Sequence, residues 1–321
     1  MIVAVQNPEF GQRGGINTYT SRLCRYLNEL EDVSAKMFVD KYKNGKPDVL
    51  SIQYEPGCFP PQKLQGFLQK YTQPIVVTAH HIMGLQQLYP MIDGIVLHDK
   101  SQIVGDEPWN YTVIPHPALV YPEKDKKKLR KKYKLPANKK IIGTMGFICG
   151  TGKVLPATVQ HILNNLKDDE FLYLITSFWK GGDMGRLSEI MDVVKASGKS
   201  KNFRIDTDFV VDEEILNEKM QCCDLMYSWN NMTNAQPGSQ SGSAADMYGA
   251  RVKLIVKQCP HYSFIGKQDK VLVGREKPED FADDVLEALR TEDLDDVQTV
   301  EWLSWQEQIK SYLDYFKEVS E

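Results

Sequence analysis

QPGSQSGSAADMYGARVKLIVKQCPH, residues 236–261, holds the unit whose reading decides the fold. Small and polar residues from Pro237 to Ser243 come first. An alanine-rich segment from Ala244 to Ala250 follows, and then a short apolar run, Leu254-Ile255-Val256, closed by Cys259-Pro260-His261. The order reads as loop, helix, buried strand. A Gly- and Ser-rich loop that opens a helix presents unpaired backbone N–H groups and the positive end of the helix dipole. That is a ready anion site, with phosphate as its usual occupant. An ordinary loop–helix–strand unit looks the same locally, so the two readings are separated by the rest of the chain.

Upstream the same pattern recurs. Ile2–Val5 is a short apolar strand, followed at once by Gly11-Gln12-Arg13-Gly14-Gly15. Asn17 or Thr18 can cap a helix running through Leu30, with Tyr19, Leu23, Tyr26 and Leu27 on its apolar face. The glycine spacing is not GxGxxG, so a dinucleotide fingerprint is not present; a phosphate cradle and a simple tight turn both fit. Asp48–Gln53 and Pro74–Ala79 read as strands with a helical stretch, Pro61–Tyr71, between them. His80 and His81 follow the second strand, His98 and Asp99 follow a strand at Gly94–Leu97, and Val113–Pro117 is a last short strand with a proline exit. Polar residues at the carboxyl ends of parallel strands sit where open α/β sheets bind ligands.

The pattern then restarts. Lys140–Gly146 is a strand, Phe147–Lys153 a glycine loop ending in lysine, and Leu155–Leu166 a helix. Strands at Phe171–Thr176, Phe203–Ile205, Asp224–Tyr227, Leu254–Val256 and Lys270–Val273 alternate with helices at Gly181–Gly198, Asp212–Gln221 and Pro278–Arg290. The tail, Val300–Phe316, is an amphipathic helix with Trp302, Leu303, Trp305, Ile309, Tyr312, Leu313 and Phe316. Strands alternating with helices in two successive halves give an α/β chain of two Rossmann-like domains. We place them at 1–137 and 138–300, with 301–321 as a closing helix that returns to the first. Two such domains facing each other would make a cleft, a common setting for a ligand site.

Bulk properties narrow the class. The chain has 321 residues, 42% hydrophobic and 26% charged, with a net charge of −4. That balance suits a globular protein and gives no overall polycation for nucleic acid. No run approaches the ~18 apolar residues of a membrane span. The opening MIVAVQNPEF lacks a basic region before an apolar core, so it reads as a first strand rather than a signal peptide, and a cytoplasmic location is expected. Six cysteines are scattered without a CxxC pair, which points to free thiols and no zinc site. The most basic run is PEKDKKKLRKKYKLP, residues 122–136, with eight Lys or Arg between Lys124 and Lys134. It reads either as a surface for a phosphate-rich partner or as a solvated helix at a domain junction.

Taken in order, these segments resemble retaining glycosyltransferases of family 4, which have the GT-B fold. Gly14-Gly15-Ile16-Asn17-Thr18-Tyr19 is similar to that family's early GGxxxY loop, and Thr78-Ala79-His80 to its strand-end TxH. Val113–Pro117 is similar to the IPN exit of its first domain, and Gly146-Phe147-Ile148 with Lys153 to its donor loop. Ser241–Ile255 resembles the segment that holds the family's paired glutamates, and Trp305 with the tail helix resembles its closing helix. The chain departs from the family in having Phe147 where the donor loop has arginine, and Gly238 and Asp246 near the glutamate positions.

The resemblance implies a nucleoside-diphosphate sugar as donor and no metal or other cofactor. The acceptor-side domain would be the first and the nucleotide-sugar domain the second. Gly14, Gly15, Lys153, Ser241, Gly242 and Ser243 would hold the diphosphate. His80 and Asp246 would be the catalytic pair, the latter on the donor ribose. His81, Asn17 and Asp99 would line the acceptor or sugar side. The acceptor would be a glycan or a lipid-linked saccharide. Alternatives are a phage-type DNA glycosyltransferase acting on hydroxymethylated bases, a non-catalytic subunit that binds nucleotide or glycan, and another two-domain enzyme such as a nucleotide-sugar epimerase.

Overall fold

The computed structural model describes residues 1–6, 14–37, 46–103, 109–148, 154–178, 183–230, 239–266, 268, 271–291 and 300–321. The first part of the chain runs β1 (Ile2–Gln6), α1 (Gly15–Asn28), β2 (Ser34–Met37), β3 (Val49–Tyr54), α2 (Pro61–Leu68), β4 (Ile75–Ala79), β5 (Gly94–Leu97) and β6 (Tyr111–Val113). It continues through α3 (Lys126–Lys132), β7 (Lys140–Ile148), α4 (Pro156–Asn165), β8 (Glu170–Phe178), α5 (Met184–Ala196), β9 (Phe203–Asp206), α6 (Glu213–Gln221) and β10 (Leu225–Ser228). It ends with α7 (Gly242–Gly249), β11 (Lys253–Lys257), α8 (Ser263–Gly266), β12 (Val271–Gly274), α9 (Pro278–Arg290) and α10 (Trp305–Ser320).

Two compact units result. The first is Met1–Pro117 with Gln236–Gln240 and Trp305–Glu321; the second is Ala118–Ala235 with Ser241–Ser304. Segment 118–137, which the sequence analysis assigns to the first domain, packs with the second unit. Buried Arg130 is the reason: it donates to the Cys222 carbonyl at 2.9 Å and to Asp224 at 2.6 Å. The basic run is therefore largely committed inside this unit. Lys124 and Lys132 both pair with Glu218 on α6, as does the Tyr133 hydroxyl.

Unit 1 holds a six-stranded parallel sheet in the order β2-β1-β3-β4-β5-β6. Every residue of β3, β4 and β5 is buried, as expected for parallel strands covered on both faces. Ile52, Val77, Ile95 and Leu97 pack with Leu64 and Leu68 of α2 and with Leu85 and Leu88. Helix α10 buries Trp305, Ile309, Tyr312, Tyr315 and Phe316 against this unit, and Trp305 stacks on Tyr26 of α1 with 5.5 Å between ring centres. Gly94 has to be glycine: a Cβ there would lie 2.7 Å from the Tyr315 hydroxyl, which itself caps Ile95 N–H at 3.1 Å. β2, a short polar edge strand, has no counterpart in the sequence reading, and β6 ends at Val113 rather than running to Pro117.

Unit 2 holds a second six-stranded parallel sheet, β12-β11-β10-β7-β8-β9. Alternate residues of its strands feed two cores. Tyr173, Ile175, Met226 and Leu254 join one with α7, and Leu172, Leu174, Leu225 and Ile255 join the other with α4 and α9. Both sheets match the α/β, two-domain expectation.

Candidate functional site

Strand order locates the ligand end of each unit. In unit 1 the chain leaves β1 for β2 on one side and for β3 on the other. In unit 2 it leaves β7 toward β8 and β9, then crosses to β10, β11 and β12. Open parallel sheets bind ligands at such reversals, outside the carboxyl ends of the strands. The reversal between β1 and β3 leads into Gly14 and Gly15. The reversal between β7 and β10 lies where β7 ends at Ile148, and the chain after β10 comes to Ser241 at the start of α7. Lys153 and Gly238 lie outside the described residues.

Helix α1 starts at Gly15, two residues before the expected Asn17 cap. Gly14 is the N-cap, with no side-chain cap bond among the described residues. Thr18 instead turns its hydroxyl back to the Gly14 carbonyl at 3.1 Å. The N-cap itself therefore brings no side-chain acceptor to the positive end of the helix dipole. Asn17 is half-buried in this first turn.

Beneath this helix start lies a polar cluster brought together by the ends of β4, β5 and β6. His80, His98 and His116 surround Tyr19, whose ring centre is 4.7, 5.6 and 4.9 Å from theirs. His98 and His116 are buried. Gln240 ties two of these strand ends together, accepting from His116 N–H at 2.8 Å and donating to the His98 carbonyl at 2.6 Å. Both nitrogens of His80 face inward, Nε2 to Gln53 at 3.1 Å and Nδ1 to His98 at 3.4 Å. As placed, His80 therefore has no ring nitrogen turned toward a ligand.

Burial pushes the His98 pKa down to about 4. Burial, with His98 nearby, also lowers that of His80. His116 is lowered by burial and by the neighbouring His98, His80 and Arg22. The three rings are therefore neutral at pH 7.

His81 points differently. Its Nδ1 accepts the Met83 N–H at 3.0 Å, so the proton sits on Nε2, which has no partner among the described residues. Asp99 is occupied: its carboxylate caps the turn at Lys100–Gln102 by accepting from Ser101 N–H at 2.8 Å. A carboxyl absent from the sequence reading is Glu55, directly after β3 at the reversal. Burial raises its pKa, against a hydrogen bond from the Gly57 N–H. Its only sequence signal is its place just after an apolar strand.

In unit 2, Ser241 is the N-cap of α7 and its hydroxyl accepts from Ala244 N–H at 3.1 Å. The hydroxyl is spent on the helix, and the contribution of Gly242 and Ser243 to an anion site would come through the first-turn backbone. Asp246 is buried, and its Oδ1 accepts from Leu119 N–H at 3.1 Å. Gly249, one turn later, permits the same approach, since a Cβ there would be 2.3 Å from the Leu119 carbonyl. Asp246 thus tethers the chain at Leu119 to α7. At the reversal itself, Thr144 on β7 donates to the Tyr227 carbonyl on β10 at 2.8 Å. Phe147, at the position of the family's arginine, lies parallel to Phe209 with 6.3 Å between ring centres. Among the described residues no group of three or more His, Cys, Asp or Glu could hold a metal ion, and no helix is long and apolar enough to cross a membrane.

No protein-family profile and no curated protein sequence matches the chain. Solved structures do. A glycosyltransferase from Rickettsia africae aligns with a TM-score of 0.71 at 15% identity, covering 99% of this chain and 98% of its own. HepE of Anabaena, solved with UDP-glucose, aligns with a TM-score of 0.69 at 11% identity, covering 100% and 98%. Sucrose-phosphate synthase from Thermosynechococcus elongatus aligns at 0.68 and 12% identity, covering 99% and 94%. At these identities the likeness speaks for architecture, and the chain has the α/β, GT-B fold of these glycosyltransferase structures.

Proposed function

We propose that the protein is a glycosyltransferase that moves a sugar from a nucleoside-diphosphate sugar to a hydroxyl acceptor, with retention at the anomeric carbon. The observation that carries this reading is the coincidence at the two strand reversals. Each leads into a segment that the sequence singles out, Gly14–Gly15 in unit 1 and Ser241–Ser243 in unit 2. The likeness to HepE, solved with UDP and with UDP-glucose, supports a UDP-sugar as the first donor to try.

In this reading the acceptor oxygen forms its bond to the anomeric carbon on the face from which the diphosphate leaves. The acceptor proton passes to the departing phosphate. Gly14, Gly15, Gly242 and Ser243 supply backbone donors, and Lys153 a point charge, where negative charge grows. No metal is needed for that task. His81, with its Nε2 proton unmatched, suits a sugar or acceptor oxygen. Asp246 holds the frame of α7 in addition to any contact with a ribose. A glycan or lipid-linked saccharide is the acceptor we favour over DNA, because Lys124, Arg130 and Lys132 are already paired with carboxylates of the same unit.

A thermal-shift panel of nucleoside diphosphates and their sugars tests the reading. A ligand at a hundred times its Kd adds about 2.7 kcal/mol to native-state stability. We expect a UDP-sugar to raise the melting temperature and Lys153→Ala to abolish the rise. A folded sample that answers to no nucleotide would sink the proposal.

A further inference from the structure

A chain of hydrogen bonds runs through the interior of unit 1, and one end of it has a fixed direction. Nδ1 of His98 lies 2.9 Å from the Ile114 carbonyl, a group that can only accept. His98 therefore carries its proton on Nδ1. With the ring neutral, its Nε2 is bare and needs a donor. Its hydrogen-bond partner is Nδ1 of His80 at 3.4 Å, so that nitrogen carries the proton of His80. Nε2 of His80 is then bare too, and the atom it faces at 3.1 Å is Oε1 of Gln53, whose Nε2 is placed toward Ser51 Oγ at 3.5 Å and Thr78 Oγ1 at 3.3 Å.

A half-turn of an amide exchanges its oxygen and nitrogen without moving its contacts, so hydrogen-bond logic decides which end faces His80. The NH2 end fits. The Gln53 oxygen then lies toward the Thr78 hydroxyl, 3.3 Å away, which donates to it. Thr78 is also hydrogen-bonded to Tyr312 on α10, whose hydroxyl meets that of Tyr19 on α1. This setting gives both histidines a partner of the right kind without a charge. The opposite setting of Gln53 leaves His80 Nδ1 and His98 Nε2 facing each other with two lone pairs. The other escape is a third proton, which would place a cation between two buried rings with no carboxylate hydrogen-bonded to either among the described residues. Unpaired polar groups and unpaired charges are both expensive in an interior.

We propose that His98 is a positioning residue that holds the His80 imidazole in the Nδ1–H tautomer. His80 then offers an acceptor nitrogen, so that a ligand hydroxyl reaching it in place of the Gln53 amide must donate. The reference to a ligand rests on the sugar-transfer reading; the tautomer does not.

The test is long-range proton–nitrogen correlation on protein with 15N-labelled histidine, near pH 7.5, with His80 assigned by the signals lost in His80→Gln. We expect both His80 and His98 to show a protonated Nδ1 and a bare Nε2. A protonated Nε2 on His80 in the unaltered protein overturns the proposal, whatever the variants do. His98→Leu removes the acceptor for His80 Nδ1–H and should switch His80 to the Nε2–H form; an unchanged pattern in a folded variant also overturns it. Gln53→Glu, which only accepts when ionised, should put a proton on His80 Nε2. Titration with UDP-glucose separates the ligand clause. Movement of the His80 signals supports it. Binding by thermal shift with those signals unmoved overturns it. No binding at all counts against the sugar-transfer reading and leaves the tautomer to its own result.

Discussion

Helix α1 begins at Gly15 behind a glycine N-cap with no side chain to offer, whereas α7 begins at Gly242 under the hydroxyl of Ser241. The interiors behind them differ in the same sense. Around Tyr19, unit 1 buries neutral groups linked by hydrogen bonds, three imidazoles, two tyrosine hydroxyls and amides, with the buried Arg22 guanidinium near His116. Unit 2 pairs buried and half-buried ions, with Arg130 on Asp224 and with Lys219 at 2.7 Å and Arg204 at 2.8 Å from Asp206. A strand–loop–helix start can thus be capped by a bare glycine over a neutral, directional network or by a serine hydroxyl over an ion-paired one.

The contrast can be broken most forcefully at Asp224, which accepts from Arg130 and from Ile141 N–H at 2.7 Å. Asp224→Ala strands a buried guanidinium, and we expect a loss of about 3 kcal/mol. Hydrogen exchange should show the loss in unit 2; equal loss in both units would mean they do not respond separately.

Acid should divide the units next. A histidine whose folded pKa is depressed gives its full stability above pH 6.5, and that stability is lost as pH falls toward the folded value. For His98 the window runs from 6.5 to about 4, and it carries up to about 3 kcal/mol. In unit 2 burial works to raise the Glu218 pKa, but hydrogen bonds from Lys124, Lys132 and Tyr133 hold it at about 2. Its contribution is present above pH 4.5 and is lost only on the way down to about 2. Exchange protection should therefore fail in unit 1 first as pH drops below 6.5. Simultaneous failure, or unit 2 first, would contradict the picture of a neutral core against an ion-paired one.

Ser241→Ala sharpens the comparison at the helix starts. It removes the cap on Ala244 and should lower stability by about 1 kcal/mol, with Ser241→Gly closer to neutral. The smallest effect is expected at Gly15, where an added Cβ meets nothing within 4 Å. Gly15→Ala should raise stability by about 0.5 kcal/mol through the unfolded chain, yet reduce the thermal shift given by a UDP-sugar if the open N–H groups face the phosphates. A gain in stability with an unchanged ligand shift would move the diphosphate away from α1.

Much of this architecture was legible from apolar runs alone. β3 and β4 are unbroken buried segments, and such runs separated by helical periodicity admit few folds besides a parallel sheet. β2 was not legible because Ser34-Ala35-Lys36-Met37 is short and half polar, and pairs on one side only, with β1. The start of α1 was misjudged because a cap was sought among Asn17 and Thr18, while the helix uses a glycine with no side chain to offer. The site was legible in part. Residues at strand ends were found by position, but His98 and His116 as neighbours of His80 depend on the order of β4, β5 and β6 in the sheet, which local sequence does not encode. The roles of Ser241 and Asp99 as caps depend on where a turn begins, a matter of one residue.

Gln236–Gln240 and Trp305–Glu321 belong to unit 1, although long stretches of unit 2 precede each of them. The chain therefore passes from one unit to the other several times. As the chain is made from its amino end, unit 1 would stand for most of synthesis without Gln240 to join its strand ends and without Tyr312 to meet Tyr19. Unit 2 has all its strands and helices before residue 305 is added. The unit begun first is finished last, and a nascent chain halted before Trp305 would hold the neutral network open.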